Sequence, residues 1–461
     1  MHIGQLPALR RREFLRRASM MGVAAQAAPF ALQMASIGEA AAQTQAPGYR
    51  ALVCVFLYGG NDYGNTLVPY DAASWNAYAS IRQALATPRD ALAATALVPR
   101  NPLPGGRQMA LAPQMTRMRG LFDAGRLGVL LNVGTLVQPT TLAQYKAQSV
   151  PLPPKLFSHN DQQSVWQASN PEGATTGWGG RIGDLFLSSN ANAAFTCINA
   201  SGNAVFMSGR QAMQYQIATS GAVPINGVVR PVYGSQACAD ALRSLLTGAR
   251  NHWMEQELAR VASRSISAQA QVGTALLSQR ALTTSFDPAN SLAQQLQIVA
   301  RMIAARSSLG VSRQVFFVSL GGFDLHDFLP TQHPALLAKV SDALGSFYDA
   351  TVELGVADSV TTFTASDFGR TLSSNGDGSD HGWGSHHFVM GGAVRGGVFW
   401  GQLPEVSVNG PDDVGQGRLL PTMSVDQLAA TLARWMGVSA TDLPGVLPQI
   451  VNYTQRDLGF F

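Results

Sequence analysis

The strongest constraint on the fold is a pattern that occurs three times: a continuous apolar run, then small residues, then an aspartate. Residues 51–58 (ALVCVFLY) lead into Gly59-Gly60-Asn61-Asp62. Residues 315–320 (VFFVSL) lead through Gly321-Gly322-Phe323 to Asp324, and residues 360–364 (VTTFT) lead through Ala365-Ser366 to Asp367. Short runs rich in β-branched and aromatic residues, without polar alternation, predict strands buried on both faces. Residues 334–354, between the second and third runs, have a helical pattern. Strand, long helix, strand predicts a parallel βαβ unit with a right-handed crossover. Open α/β sheets form their sites at the carboxyl ends of strands, so Asp62, Asp324 and Asp367 are expected on one edge of one sheet.

The histidines sharpen this expectation. Of the 8 in the chain, His326, His333, His381, His386 and His387 fall between residues 315 and 392. Aspartates and histidines on loops after buried strands suit a divalent cation that activates water or clamps an anion. Asp62, Asp324, His326, Asp367, His381 and His387 are therefore candidate ligands. His386 is a candidate acid for a leaving group, since neighbours on an extended chain face opposite ways. Ser158 follows a proline-rich stretch, stands next to His159 and opens a helical segment at 161–168. Its hydroxyl is either an activated nucleophile at a helix end or an N-cap; Thr66 is the second candidate nucleophile. Arg370 either holds an ester oxygen by paired hydrogen bonds or forms a structural ion pair.

The rest of the chain reads as the body of an α/β protein. A further strand is expected at 127–133 and a short one at 396–400. Helices are expected at 115–124 and 292–305, and at 427–436 with Asp426 as cap. A long helical pattern covers 239–277, interrupted at Gly248 and again near 263–267, and a small β excursion is expected within 192–235. Together, residues from about 190 to 285 read as a helical insertion or cap on a single domain spanning 43–461. With 46% hydrophobic and 13% charged residues the composition is that of a globular body, not a disordered chain. Cys54, Cys197 and Cys238 are too widely spaced for a zinc-ligand pattern. A Cys197–Cys238 bridge stays open as an option, and nothing in the sequence requires it.

The net charge of +4 is concentrated at the N-terminus, where residues 1–42 carry five arginines against two glutamates. With no basic run beyond, a nucleic-acid partner is not expected. The leader has a charged start, a weakly apolar middle and a small-residue end at Ala40-Ala41-Ala42, the layout of a cleavable export signal. Arg11-Arg12 followed by Glu13-Phe14-Leu15-Arg16 resembles a twin-arginine signal, which implies the twin-arginine export machinery as a partner and a periplasmic or secreted destination. Gln26, Pro29 and Gln33 break the apolar part, so a stable membrane span is not expected.

The leader, GGND at 59–62, SHNDQ at 158–162, GGFDLH at 321–326, SDFGRT at 366–371 and DHGWGSHH at 380–387 resemble the bacterial domain of unknown function numbered 1501, over nearly the whole mature chain. That family is grouped with the alkaline phosphatase and sulfatase superfamily. The resemblance implies a doubly wound, mostly parallel α/β sheet with helices on both faces and one or two divalent ions, zinc foremost, at its carboxyl edge. It also implies hydrolysis of small phosphate or sulfate esters. By motif, Asp62 matches the first ligand acid, Asp324 and His326 the middle ligand pair, and Asp367 the later acid, with a histidine from 381–387 as the last ligand. Phe368 stands where the superfamily commonly has a histidine. That departure keeps a second reading in play: an exported binding or assembly protein with a degenerate site.

Overall fold

The first strand of the described chain becomes the middle of the sheet. The computed structural model describes residues 48–461, which belong to one compact unit; the leader expected at residues 1–42 lies outside them. In chain order the strands are β1 (Arg50–Leu57), β2 (Leu67–Pro69), β3 (Met109–Leu111), β4 (Leu127–Gly134), β5 (Cys197–Asn199), β6 (Gln214–Gln216), β7 (Arg313–Leu320), β8 (Val360–Ser366), β9 (Ser385–Gly391), β10 (Phe399–Trp400) and β11 (Met423–Ser424). The helices that matter here are α1 (Tyr63–Thr66), α2 (Ala72–Arg82), α3 (Thr116–Asp123), α4 (His159–Ala168), α5 (Trp178–Phe186), α6 (Gln236–Thr247), α7 (Trp253–Leu277), α8 (Ser291–Ala304), α9 (Leu329–Glu353) and α10 (Val425–Met436).

The main sheet has nine strands in the order β10-β4-β9-β8-β1-β7-β5-β6, with β11 also paired to β4. All its pairings are parallel except those of β9, which runs antiparallel to both β4 and β8. β7 and β8 form the expected parallel βαβ unit through α9, but they flank β1 instead of pairing with each other. The carboxyl ends of β1, β7 and β8 therefore lie side by side. The β excursion is part of this sheet: β5 pairs with β7 and β6 with β5.

β1 shows why helices must cover both faces. Ala51, Val53, Val55 and Leu57 join one buried cluster with α3, α8 and α9, while Leu52, Cys54 and Phe56 join another with α5 and α10. With side chains alternating and every one of these residues buried, each face needs its own layer. Each such apolar side chain contributes roughly 1.5–3 kcal/mol on burial.

Several local expectations change. The helical pattern at 239–277 is broken once, at Gly248, and α7 runs unbroken through Ser263–Ser267. Ser424, not Asp426, caps α10, accepting from the Asp426 amide. Asp426 itself is buried, which pushes its carboxyl up to about 7. Cys197 is buried, Cys238 is exposed, and both are free thiols. No helix among the described residues is long and apolar enough to cross a membrane.

Candidate metal centre

The acids that follow β1, β7 and β8 reach one edge but serve different purposes. Asp62 caps α1: Oδ1 accepts from the Gly64 amide and Oδ2 is paired with the Arg82 guanidinium, both side chains being buried. Both oxygens thus have partners, and Asp62 is not in the group formed by His159, Asp324 and His381. Asp367 is completely buried, and both of its carboxylate oxygens have partners. Oδ1 accepts from the Gly59 amide at 3.2 Å; Oδ2 accepts from Gln163 Nε2 at 2.7 Å and pairs with His159 Nδ1 at 2.6 Å. The structure thus places Asp367 behind the His159 imidazole, outside the group of converging atoms. Only Asp324, half-exposed, turns its carboxylate into an open cluster.

Two features of the chain bring the cluster together. Gly59 has φ 116°, and a Cβ there would collide with the Asp324 backbone, so glycine lets the loops after β1 and β7 touch. After β8 the chain doubles back: Arg370 and His381 face each other across an antiparallel bridge, and the Thr371 amide donates to Asp380 O at 2.9 Å. The turn carrying Asn375-Gly376-Asp377-Gly378 closes this hairpin and returns His381 over the strand end.

His159, the first residue of α4, meets His381 with 3.1 Å between their Nε2 atoms. Asp324 Oδ2 is 3.3 Å from His159 Nε2, and Asp324 Oδ1 is 3.3 Å from His381 Nε2. One ligand atom from each of His159, Asp324 and His381 falls within 4.8 Å of the other two. His326 adds a further Nε2, 2.9 Å from His381 Nε2 and 3.1 Å from Asp324 Oδ1. Phe368, the departure noted in the motif, is buried with its ring centroid 4.8 Å from both His159 and His381. It walls the two imidazoles in.

The donor set fits a cation because of what lies behind the rings. His381 Nδ1 is 2.7 Å from Phe157 O, which can only accept, so Nδ1 carries the proton. His159 Nδ1 faces the Asp367 carboxylate, and His326 Nδ1 lies 3.3 Å from Asp380 Oδ1. With Nδ1 protonated, each neutral ring aims an Nε2 lone pair into the cluster. Lone pairs and a carboxylate at 2.9–3.3 Å repel unless a proton or a cation sits among them. Donors at 2.0–2.1 Å around a tetrahedral zinc would stand roughly 3.3–3.4 Å apart, close to the separations among His159 Nε2, His381 Nε2 and the Asp324 carboxylate.

The electrostatics follow the contacts. The hydrogen bond to Asp367 raises His159 above the usual histidine value, against the effect of burial. Burial lowers His381, helped by the neighbouring charges of His159 and Arg370. Burial would push the Asp324 carboxyl up, but Arg370's hydrogen bond and charge hold it below the ordinary carboxylate range.

Other sequence candidates are spent elsewhere. Arg370 is fully buried: Nη1 donates to Asp324 Oδ1 at 2.6 Å and to Gly59 O at 3.1 Å, Nη2 to Ser379 O, and Nε to Ser379 Oγ. It orients Asp324 through this ion pair, one of the two roles the sequence left open for it. Ser158 occupies the N-cap position of α4, and its Oγ donates to Asp161 Oδ2 at 3.1 Å. Thr66 is buried and donates to Asp62 O at 2.7 Å. His386 and His387 belong to β9 and are buried. His386 Nδ1 accepts from the Asn132 amide, and the His387 ring packs 5.2 Å from Trp166. Burial pushes both down to about 3, and neither is among the converging atoms.

The residues missed in the sequence are His159 and Gln163. The signal was present: a histidine opening a helix with a glutamine four residues later puts both on one face, here the face turned to Asp367.

Solved structures with a similar course of the backbone include the lipoteichoic acid synthase LtaP from Listeria monocytogenes (8% identity, TM-score 0.35, 91% of this chain and 81% of that one). Two more are the zinc complex of the C-terminal periplasmic domain of EcEptC from Escherichia coli (11%, 0.34, 88% and 88%) and the PsFucS1 sulfatase from Pseudoalteromonas sp. (10%, 0.36, 89% and 72%). No curated protein matches the chain in sequence. The model of the family described as "Protein of unknown function (DUF1501)" matches residues 49–445, and the chain belongs to that family.

Proposed function

We propose that the protein is an exported, metal-dependent hydrolase of small phosphate or sulfate esters. The observation that carries this reading is the convergence of His159 Nε2, His381 Nε2 and the Asp324 carboxylate, with each imidazole held from behind by an acceptor. A divalent ion there, zinc by the chemistry of the donors, supplies Lewis-acid polarisation of an ester oxygen and lowers the pKa of water. The protein's own part is positional. Asp367 and Gln163 fix the tautomer and angle of His159, the Phe157 carbonyl fixes His381, and Arg370 fixes Asp324. The buried Arg370 charge also favours an anionic substrate at the cluster. Since Ser158 and Thr66 are engaged in structural hydrogen bonds, water is the attacking nucleophile in this scheme. The twin-arginine-like leader supports export to the periplasm or beyond.

The competing reading is a binding or assembly protein whose cluster is closed by protons instead of metal, and the raised His159 favours it. The test is hydrolysis of 4-nitrophenyl phosphate and 4-nitrophenyl sulfate by protein purified without chelators. The expected result is turnover that chelation abolishes and zinc restores, and that His381→Ala lowers by two orders of magnitude or more. Folded protein that carries no stoichiometric metal and turns over neither ester would leave the binding reading standing.

A further inference from the structure

The three imidazoles of the cluster are not held equally. His159 is locked by a carboxylate that is 0% exposed, at 2.6 Å, and His381 by a backbone carbonyl at 2.7 Å. His326 has only Asp380 behind it, at 3.3 Å, and the two side chains are 41% and 38% exposed. Asp380 is itself steadied by Asn375 Nδ2 at 3.0 Å. The turn that bears His326 is fixed: the Phe328 amide donates to Asp377 Oδ2 at 3.0 Å and the Leu329 amide to Asp377 O at 2.9 Å. The backbone is laced to the hairpin loop, and the imidazole is the least tethered of the three.

We propose that His326 is a fourth and exchangeable ligand of this centre, parked on Asp380 when it leaves; the inference rests on the metal reading above. A zinc shell filled by four protein ligands is closed, and a catalytic one keeps a position for water or substrate. With His159, His381 and Asp324 each pinned by a contact of 2.6–2.7 Å, the position that opens is the one held by the weakest tether. His326 then decides when an anion gains access to the cation. It shields an empty site from adventitious anions and yields to an ester whose oxygen competes with the imidazole.

The protein loaded with cobalt(II) provides the test, with inorganic phosphate as the probe anion. His326→Ala is expected to keep the ion at an affinity reduced roughly tenfold. Its visible spectrum should shift from that of the wild type, and added imidazole should bring it back. Phosphate should perturb that spectrum at a concentration several-fold below the one the wild type needs. His159→Ala is expected to lose the ion altogether. Wild-type cobalt affinity and an unchanged phosphate midpoint in His326→Ala would overturn the exchangeable ligand while the centre itself stands. Wild-type affinity in His159→Ala, or no cobalt binding by the wild type, would overturn the centre as well.

Discussion

Asp367→Asn tests how the centre is held without touching any atom proposed to meet the metal. The carboxylate has donors on both sides: the Gly59 amide at Oδ1, and Gln163 Nε2 with His159 Nδ1 at Oδ2. An amide has one oxygen, so whichever way it turns, its NH2 faces a donor. If the NH2 faces His159, the ring must change tautomer, and Nε2 then points a hydrogen instead of a lone pair at the cluster. If it faces Gly59, the tautomer survives but the ring loses the negative charge that makes it a good ligand. Loss of such support behind a metal-binding histidine weakens metal affinity by about 10- to 100-fold, or about 1.4–2.7 kcal/mol. The mispaired donor also costs folding about 1–3 kcal/mol, because the site is dry. Zinc competition against a chromophoric chelator reads the first effect, and urea unfolding of the metal-free protein reads the second. A folded Asp367→Asn variant that binds zinc as tightly as the wild type would refute the reasoning, because His159 would then owe nothing to the residue behind it.

Further outcomes follow from the same contacts. Asp62→Ala leaves Arg82 charged, buried and unpaired, and should destabilise the fold by about 3–5 kcal/mol while leaving zinc stoichiometry unchanged. Gly59→Ala should weaken metal binding, because its φ of 116° and the contact with the Asp324 backbone cannot both persist with a Cβ; calorimetric titration of zinc reads this. Stability should fall as pH falls below 6.5. Burial depresses His333 to about 4 and His386 and His387 to about 3, so the unfolded chain takes up protons that the folded chain refuses. Each imidazole contributes up to roughly 1.4 kcal/mol per pH unit between its folded pKa and 6.5. Urea unfolding across pH 5 to 8 should show this slope, and His387→Phe should make it shallower.

Much of the framework was legible because burial on both faces leaves a plain mark. The runs that became β1, β7 and β8 show no alternation of buried and exposed positions, and the three acids after them do share an edge. Which acid does what was not legible. Asp62 is disarmed by Arg82, twenty residues away on α2, and nothing in the local motif separates it from Asp324. β9 was hidden by its own histidines: SHHFVMG reads as a ligand-bearing loop until His386 and His387 are seen on opposite faces of a buried strand. β5 and β6 have three residues each, too few for a periodic signal, and they are defined only by pairing with β7 and with each other. Ser158 stands at the N-cap of α4, and it is the imidazole of the next residue, His159, that enters the cluster.

The most direct measurement is anomalous X-ray diffraction at the zinc edge from crystals of protein grown with zinc at pH 7.5. The account predicts one dominant peak about 2.0–2.2 Å from His159 Nε2, His381 Nε2 and an Asp324 oxygen, absent from crystals of His381→Ala. A dominant peak at Asp62 or at the buried pair His386-His387, or no peak from crystals that diffract well, would contradict it.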